Sequence, residues 1–417
     1  MSGVIGSGIF LTPGAIAEQL PHPGLILLAW VAGGLLSLAG ALANAELGAM
    51  YPRAGGDYVY LREAFHPAAG FLVGWLTFFA IYAGTIATLA AGFAAGVGSL
   101  VPLGPGGELA LAVALTLATS GLNYVGVRWG ARANNATAAL KIAALLGFGV
   151  VGLALAGPGA APLHGAEPVS QIGATAFGLA LSPVLFSYLG WNSSIYVASE
   201  LRVPARDLPR SLFLGLGICT FLYLLVNLVY VTALPLERLR GVPNAGEAAA
   251  RALFGDLGGT LVALLVLLSI AGTLNATVLV GPRIAYAMAL DGLFFRGVDR
   301  AHARFATPAV AIGVQAATAT GILLALETFE RALSATTFAI LLAAMADVAA
   351  LYRLRSTARD RPRPYRAWGY PWVPALYLAA NGAVALALLR GQPRECVTSL
   401  ALLAAGLPFY RLFSRRR

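Results

Sequence analysis

Residues Gly3–Gly14 read GVIGSGIFLTPG, and the fold is decided here. Glycines 3, 6 and 8 surround Ser7 in an otherwise apolar segment, a density that favours unwound backbone over helix. Inside a bilayer, unwinding is tolerated only where the freed amide and carbonyl groups line a cavity or meet a ligand. The N–H groups of Ser7, Gly8 and Ile9 are then expected to point from the start of a half-helix, whose positive dipole end suits a carboxylate. The competing reading is close helix packing through small residues.

A second irregular stretch, SPVLFSYLGWN from Ser182 to Asn192, interrupts another apolar run with proline, serine, glycine and asparagine between aromatics. Transporters built from inverted repeats place a discontinuous helix at equivalent points of each half, with the substrate between them near the midplane. Freed carbonyls of Val4, Phe186 and Leu189 could accept from an ammonium while the amides around Ser7 hold a carboxylate. That pair of seats describes an α-amino acid.

The rest of the chain supplies the membrane. It is 59% hydrophobic and 11% charged, with mean hydropathy +0.77, against roughly 25% charged residues in a soluble domain. The expected class is therefore an all-α polytopic membrane protein. Spans are predicted at 24–47, 68–98, 109–125, 133–156, 171–199, 212–232, 257–287, 309–326, 332–352, 371–389 and 396–409; a short apolar segment before Pro21 makes twelve. No polar region remains for a second domain. Residues 1–417 are read as one transporter domain, with a first repeat over 1–156, a second over 171–352 and two closing helices over 371–410.

The net charge of +10 has a use that does not involve nucleic acid. With the N-terminus cytoplasmic, 21 arginines fall on inner loops and the C-terminal tail and six outside, a bias that places both termini inside the cell membrane. Cys219 and Cys396 lack metal-ligand or redox spacing and are read as packing residues. With four histidines, no Cys/His cluster and no paired carboxylates for group transfer, neither a cofactor nor a metal is expected, and an enzyme is disfavoured.

Lys141 is the only lysine among 28 basic residues, in NNATAALKIAALLGFGVVGLALA from Asn134 to Ala156. Counted along a helix from Arg132 it lies about 13 Å into the span. An ionisable residue at such depth points to a functional role with a partner to be found, the alternative being a lysine snorkelling to the interface. Glu46 and Glu200 lie near span ends, where pairing with inner-loop arginines is expected; Asp347, inside a span, is either buried or interfacial.

Four motifs carry a resemblance: GSGIFLTPG (6–14), YPRAGGDYVYLREAF (51–65), FSYLGWNSSIYVASELRVPARDLPRSL (186–212) and SIAGTLNATVLVGPRIAYAMALDGLFF (269–295). In this order they resemble the amino acid–polyamine–organocation (APC) transporter superfamily, and within it the bacterial relatives of the L-type amino acid transporters. The resemblance implies the LeuT-type fold, two inverted five-helix repeats plus two helices, moving amino acids by alternating access. It implies that Phe186 gates the substrate from above. It implies too that Lys141, partnered by Ser269, occupies the place of a sodium ion in sodium-coupled relatives. The helix 6 region reads Leu189-Gly190-Trp191-Asn192. With no acid expected to face the site, the substrate is expected to be a neutral amino acid bounded by Phe186, Thr273, Asn275 and Tyr82.

Eukaryotic relatives join an accessory glycoprotein through a cysteine in a loop that here, Ser99–Glu108, has none, so no disulfide-linked subunit is expected. The chain departs from the family pattern in having only Met1–Ile5 before the break, where members carry a half-helix. A start codon placed too late is the expectation, a truncated or degenerate permease the alternative. The functional expectation is a permease working by exchange or proton symport. A membrane sensor or assembly partner that binds the same ligand is the competing one.

Overall fold

In the computed structural model, residues 3–156, 168–196, 198, 201–326 and 329–415 are described. The first break is followed by α1 (Gly8–Leu11) and α2 (Pro13–Gln19), and then by the long α3 (Pro23–Met50). The start of α3 is written in two residues. His22 is extended and its Nδ1 accepts from Gly24 N–H at 3.1 Å, while Pro23 supplies a first helical residue that needs no acceptor. The same device recurs where α4 (Asp57–Ala64) gives way to α5 (Pro67–Leu76): His66 Nδ1 accepts from Ala68 N–H at 3.1 Å, ahead of Pro67.

A π-turn, Thr77–Tyr82, joins α5 to α6 (Ala83–Gly98), and α7 (Gly104–Val125) and α8 (Val127–Ala156) complete the first half. The second half opens with α9 (Ala174–Ser187), breaks over 188–192, and resumes as α10 (Ser193–Tyr196). It continues with α11 (Pro204–Ala233), the short α12 (Leu236–Leu239), α13 (Ala245–Val280) and α14 (Pro282–Leu290). Asn244 caps α13 by accepting from Glu247 N–H at 3.1 Å, and the helix kinks at Gly255, where φ is +73°. Then follow α15 (Ala309–Leu326), α16 (Phe329–Thr357), α17 (Trp372–Gly391) and α18 (Pro393–Ser414).

Among the described residues, nine helical segments are long and apolar enough to cross a membrane, and two shorter apolar helices, 174–187 and 309–325, join them. The chain is thus an all-α multi-pass membrane protein. Several helices outrun the spans expected from hydropathy: α3 carries on past Glu46 to Met50 and α16 runs to Thr357. A charged residue stops a hydropathy run but not a helix when its charge is paired, as that of Glu46 is by Arg355 and Arg363.

Helices from the earlier and later parts of the chain pack in pairs. α2 lies on α9, α3 along α11, α6 on α13, and α7 on α15. Contacts of α8 with α13 mirror those of α16 with α6. α17 covers α9 and α16, and α18 covers α16 and α5. Under the second break, buried Trp30 meets Tyr223 at 5.4 Å and Tyr188 at 6.1 Å between ring centroids. Tyr188 also donates from its hydroxyl to the Trp30 carbonyl at 3.1 Å. Such aromatic pairs add about 1 kcal/mol each beyond burial, and here they tie α3, α9 and α11 around the break.

Candidate functional site

Residues 3–7 are non-helical and α1 begins at Gly8. The first bonds of the new helix run from Phe10 N–H and Leu11 N–H to the Ser7 carbonyl, at 3.0 and 2.9 Å. The amides of Ser7, Gly8 and Ile9 precede them and have no intrahelical acceptor. Ser7 Oγ, 1% exposed by residue, meets no hydrogen-bond partner among the described residues and borders the central cavity. Ile9, also fully buried, is not part of that wall.

The two breaks touch, and glycine is what lets them. A Cβ on Gly8 would stand 2.3 Å from Ser187 Oγ and 2.6 Å from Ser187 Cα. Gly190 has φ +95°, and a Cβ there would lie 2.6 Å from the Gly3 carbonyl oxygen. Tyr223 of α11 seals the junction: its hydroxyl lies 2.7 Å from the Val4 carbonyl and 2.9 Å from that of Ser187, so one proton serves either segment. Nothing in the sequence pattern marked this tyrosine. The Phe186 carbonyl accepts from Leu189 N–H at 2.9 Å, while the Leu189 carbonyl meets no donor among the described residues.

Lys141 is buried and does not reach an interface. Its Nζ donates to the Ile5 carbonyl and to Thr273 Oγ1, both at 2.8 Å. Ser269 Oγ lies 3.3 Å from the same Ile5 carbonyl and 3.4 Å from that of Gly6, and Thr273 Oγ1 lies 3.0 Å from Ile5 O. Three donors crowd a carbonyl with two lone pairs. Ser269 therefore meets the lysine through a shared acceptor, and the side-chain oxygen in direct contact is that of Thr273. Together they tie the first break to α8 and α13.

The cavity wall includes Val4, Ser7, Gly8, Tyr82, Phe186, Leu189 and Thr273. From α13 it takes Thr273, Ala276 and Thr277. Asn275 faces elsewhere, its Oδ1 accepting from Asn123 Nδ2 of α7 at 2.8 Å. Two residues along a helix turn a side chain by about 200°, so Asn275 and Thr273 belong to opposite faces. A second cavity, of about 850 Å³ against about 80 Å³ for this one, opens beside Glu18, Arg238 and Glu247.

The expectation that no acid faces the site requires correction: Asp57 and Asp347 both line the cavity. They come from α4 and α16, not from the region of the second break. Asp347 is buried at 1% exposure and is not interfacial. Glu46 and Asp291 behave as end pairs. Glu46 binds Arg355, with Nε at 3.0 Å, and accepts from Ala367 N–H at 2.7 Å. Asp291, past α14, binds Arg62 and accepts from the Tyr58 hydroxyl at 2.6 Å. Burial, then the Asp291 carboxylate, holds the Tyr58 phenol well above its ordinary range, so this donor persists into alkaline solution. Glu200 lies outside the described residues.

The sequence that builds two touching breaks, a cavity between them and a buried lysine bracing the first has relatives among known proteins. Residues 1–398 match the family model described as amino acid permease. The chain belongs to the amino acid permease family, within the APC superfamily. It is 30% identical to the serine/threonine exchanger SteT of Bacillus subtilis (strain 168) over 419 residues, covering 99% of this chain and 94% of the relative. It is 30% identical to the human large neutral amino acids transporter small subunit 2 over 423 residues, covering 99% and 78%. To the human b(0,+)-type amino acid transporter 1 it is 29% identical over 423 residues, covering 98% and 85%. The family and these relatives are transporters, and this permease shares their place in a membrane.

Proposed function

We propose that this permease carries neutral α-amino acids across the cell membrane by alternating access, as an exchanger or a proton symporter, with both termini cytoplasmic. The observation that carries the reading is the meeting of two unwound segments around one cavity, through Gly8 against Ser187 and Gly190 against Gly3. The substrate carboxylate is assigned to the amides of Ser7, Gly8 and Ile9. Its ammonium is assigned to the carbonyls of Leu189, Phe186 and Val4, the latter two sharing theirs with internal donors. Phe186 closes over the side chain, with Thr273 opposite. Asn275 supports the wall from behind through Asn123.

Lys141 with Thr273 and Ser269 acts as a fixed cation, standing for the sodium of sodium-coupled relatives. The counterpart packing of α3 with α11 and α6 with α13 favours the inverted-repeat, LeuT-type reading, and so one domain of two repeats plus α17 and α18. The names of the relatives favour serine, threonine or larger neutral amino acids as substrates.

Counterflow tests this. Liposomes containing the purified chain and loaded with unlabelled serine should accumulate labelled serine without sodium, and neutral α-amino acids should compete. Analogues lacking either the carboxylate or the amine should not. Saturable serine binding with no counterflow would instead favour a membrane sensor.

A further inference from the structure

Asp57 and Asp347 are the two acids of the cavity wall, and both are almost fully buried, at 2% and 1% exposure. Their surroundings differ from those of Glu46 and Asp291 at helix ends. Glu46 and Asp291 have guanidinium partners; among the described residues, neither Asp57 nor Asp347 has an arginine or lysine within ion-pair distance. What faces Asp57 is neutral: the Tyr196 hydroxyl of α10 donates to its Oδ2 at 2.6 Å, and Thr77 Oγ1 of the π-turn lies 3.4 Å from the same oxygen. Asn44 of α3 stands beside Asp347. The phenols of Tyr60, Tyr82 and Tyr377 complete the surround, and the guanidinium of Arg283 bears on Tyr82.

α4 packs on α16, and the two buried carboxyls line the same cavity. Ionised carboxylates only accept, so two that share a buried wall can bond only if one of them carries a proton. The remaining oxygens support this, since Asp57 Oδ1 and Asp347 Oδ1 are buried and receive no donor from the described residues. One proton between them would satisfy both at once, and two adjacent carboxylates away from water cannot both be charged without large cost.

We propose that Asp57 and Asp347 form a proton-binding site in which one proton is shared between the two carboxyls, on the wall of the substrate cavity. The inference rests on the transport reading and supplies its coupling ion. Tyr196 makes the link physical: it belongs to α10, the half-helix resuming after the second break, and its hydroxyl is held by Asp57. Loss of the shared proton leaves two like charges that separate, and the seam holding α10 against α4 and α16 loosens. Exchange should therefore slow as pH rises through the titration of the pair.

Two measurements on the full chain in liposomes test this. Infrared spectra near neutral pH should contain a carbonyl band of a protonated carboxylic acid that shifts in D2O and disappears in the Asp57→Asn/Asp347→Asn double variant. Absence of that band in the unmodified chain, or its persistence in the double variant, overturns the proposal. Serine counterflow at equal pH on both sides should fall about threefold or more between about pH 6 and about pH 9, and the Asp347→Asn variant should flatten that profile. An unchanged profile in the variant overturns the proposal. So does competition by lysine or arginine that vanishes in the variant, because the pair would then be binding a cationic side chain. Failure of serine counterflow at every pH would remove the transport reading, while the infrared band would still decide the proton site.

Discussion

At the scale of single residues, Lys141 and Gly8 carry the sharpest consequences. The Lys141 ammonium donates to Ile5 O and Thr273 Oγ1 from a site 2% exposed, so its loss strips a charged donor from a carbonyl in the unwound segment. Removing a charged hydrogen bond costs about 1.5–3 kcal/mol. Lys141→Ala should lower the thermal unfolding midpoint of the purified protein and abolish serine counterflow, and Lys141→Arg should not rescue it, because a planar fork cannot replace a compact ammonium there. Unchanged counterflow in Lys141→Ala would remove the lysine from the mechanism. For Gly8→Ala, the added methyl meets the Ser187 backbone Cα at 2.6 Å as well as its side chain. Counterflow should fall tenfold or more, at roughly 1.4 kcal/mol per decade, and a second change, Ser187→Ala, should not restore it. Restoration would place the clash in the side chain alone.

At the scale of elements, the two broken helices are held by helices that are not broken. Tyr223 of α11 bridges Val4 O and Ser187 O with one hydroxyl. Tyr223→Phe keeps the ring packing against Trp30 and Tyr188 and deletes only that bridge. The expected cost is about 1–2 kcal/mol, visible as a lower unfolding midpoint together with weaker serine binding. A lower midpoint with unaltered binding would confine the tyrosine to stability. Near the ends of α3 and α16, Glu46 is fully buried and answers both Arg355 and Arg363. Breaking a buried pair costs about 3–5 kcal/mol because the partners stay charged. Glu46→Gln should therefore be among the most destabilising single changes in thermal unfolding, more so than Asp256→Asn, whose partner Arg251 is half exposed.

At the scale of the whole molecule, the sequence and the tertiary structure divide the account unevenly. Composition and hydropathy determined the membrane class and the placement of nearly every helix, because lipid forces each crossing segment to satisfy its backbone internally. The positions of both breaks were legible for a related reason: clustered glycine at 6 and 8, and glycine beside proline and asparagine at 183–192, cannot sustain helix cheaply. Lys141 stood out because a lone charge deep in an apolar run is costly to keep there. What a linear pattern could not supply was facing. Asn275 was assigned to the cavity although it lies on the opposite side of α13 from Thr273, and Tyr223 was overlooked because a tyrosine in an apolar helix gives no sign of what it touches. Asp57 sat in one sequence motif and Asp347 in a distant span, and only packing α4 against α16 brings both carboxyls to one cavity wall, since contacts form in space whatever the separation along the chain.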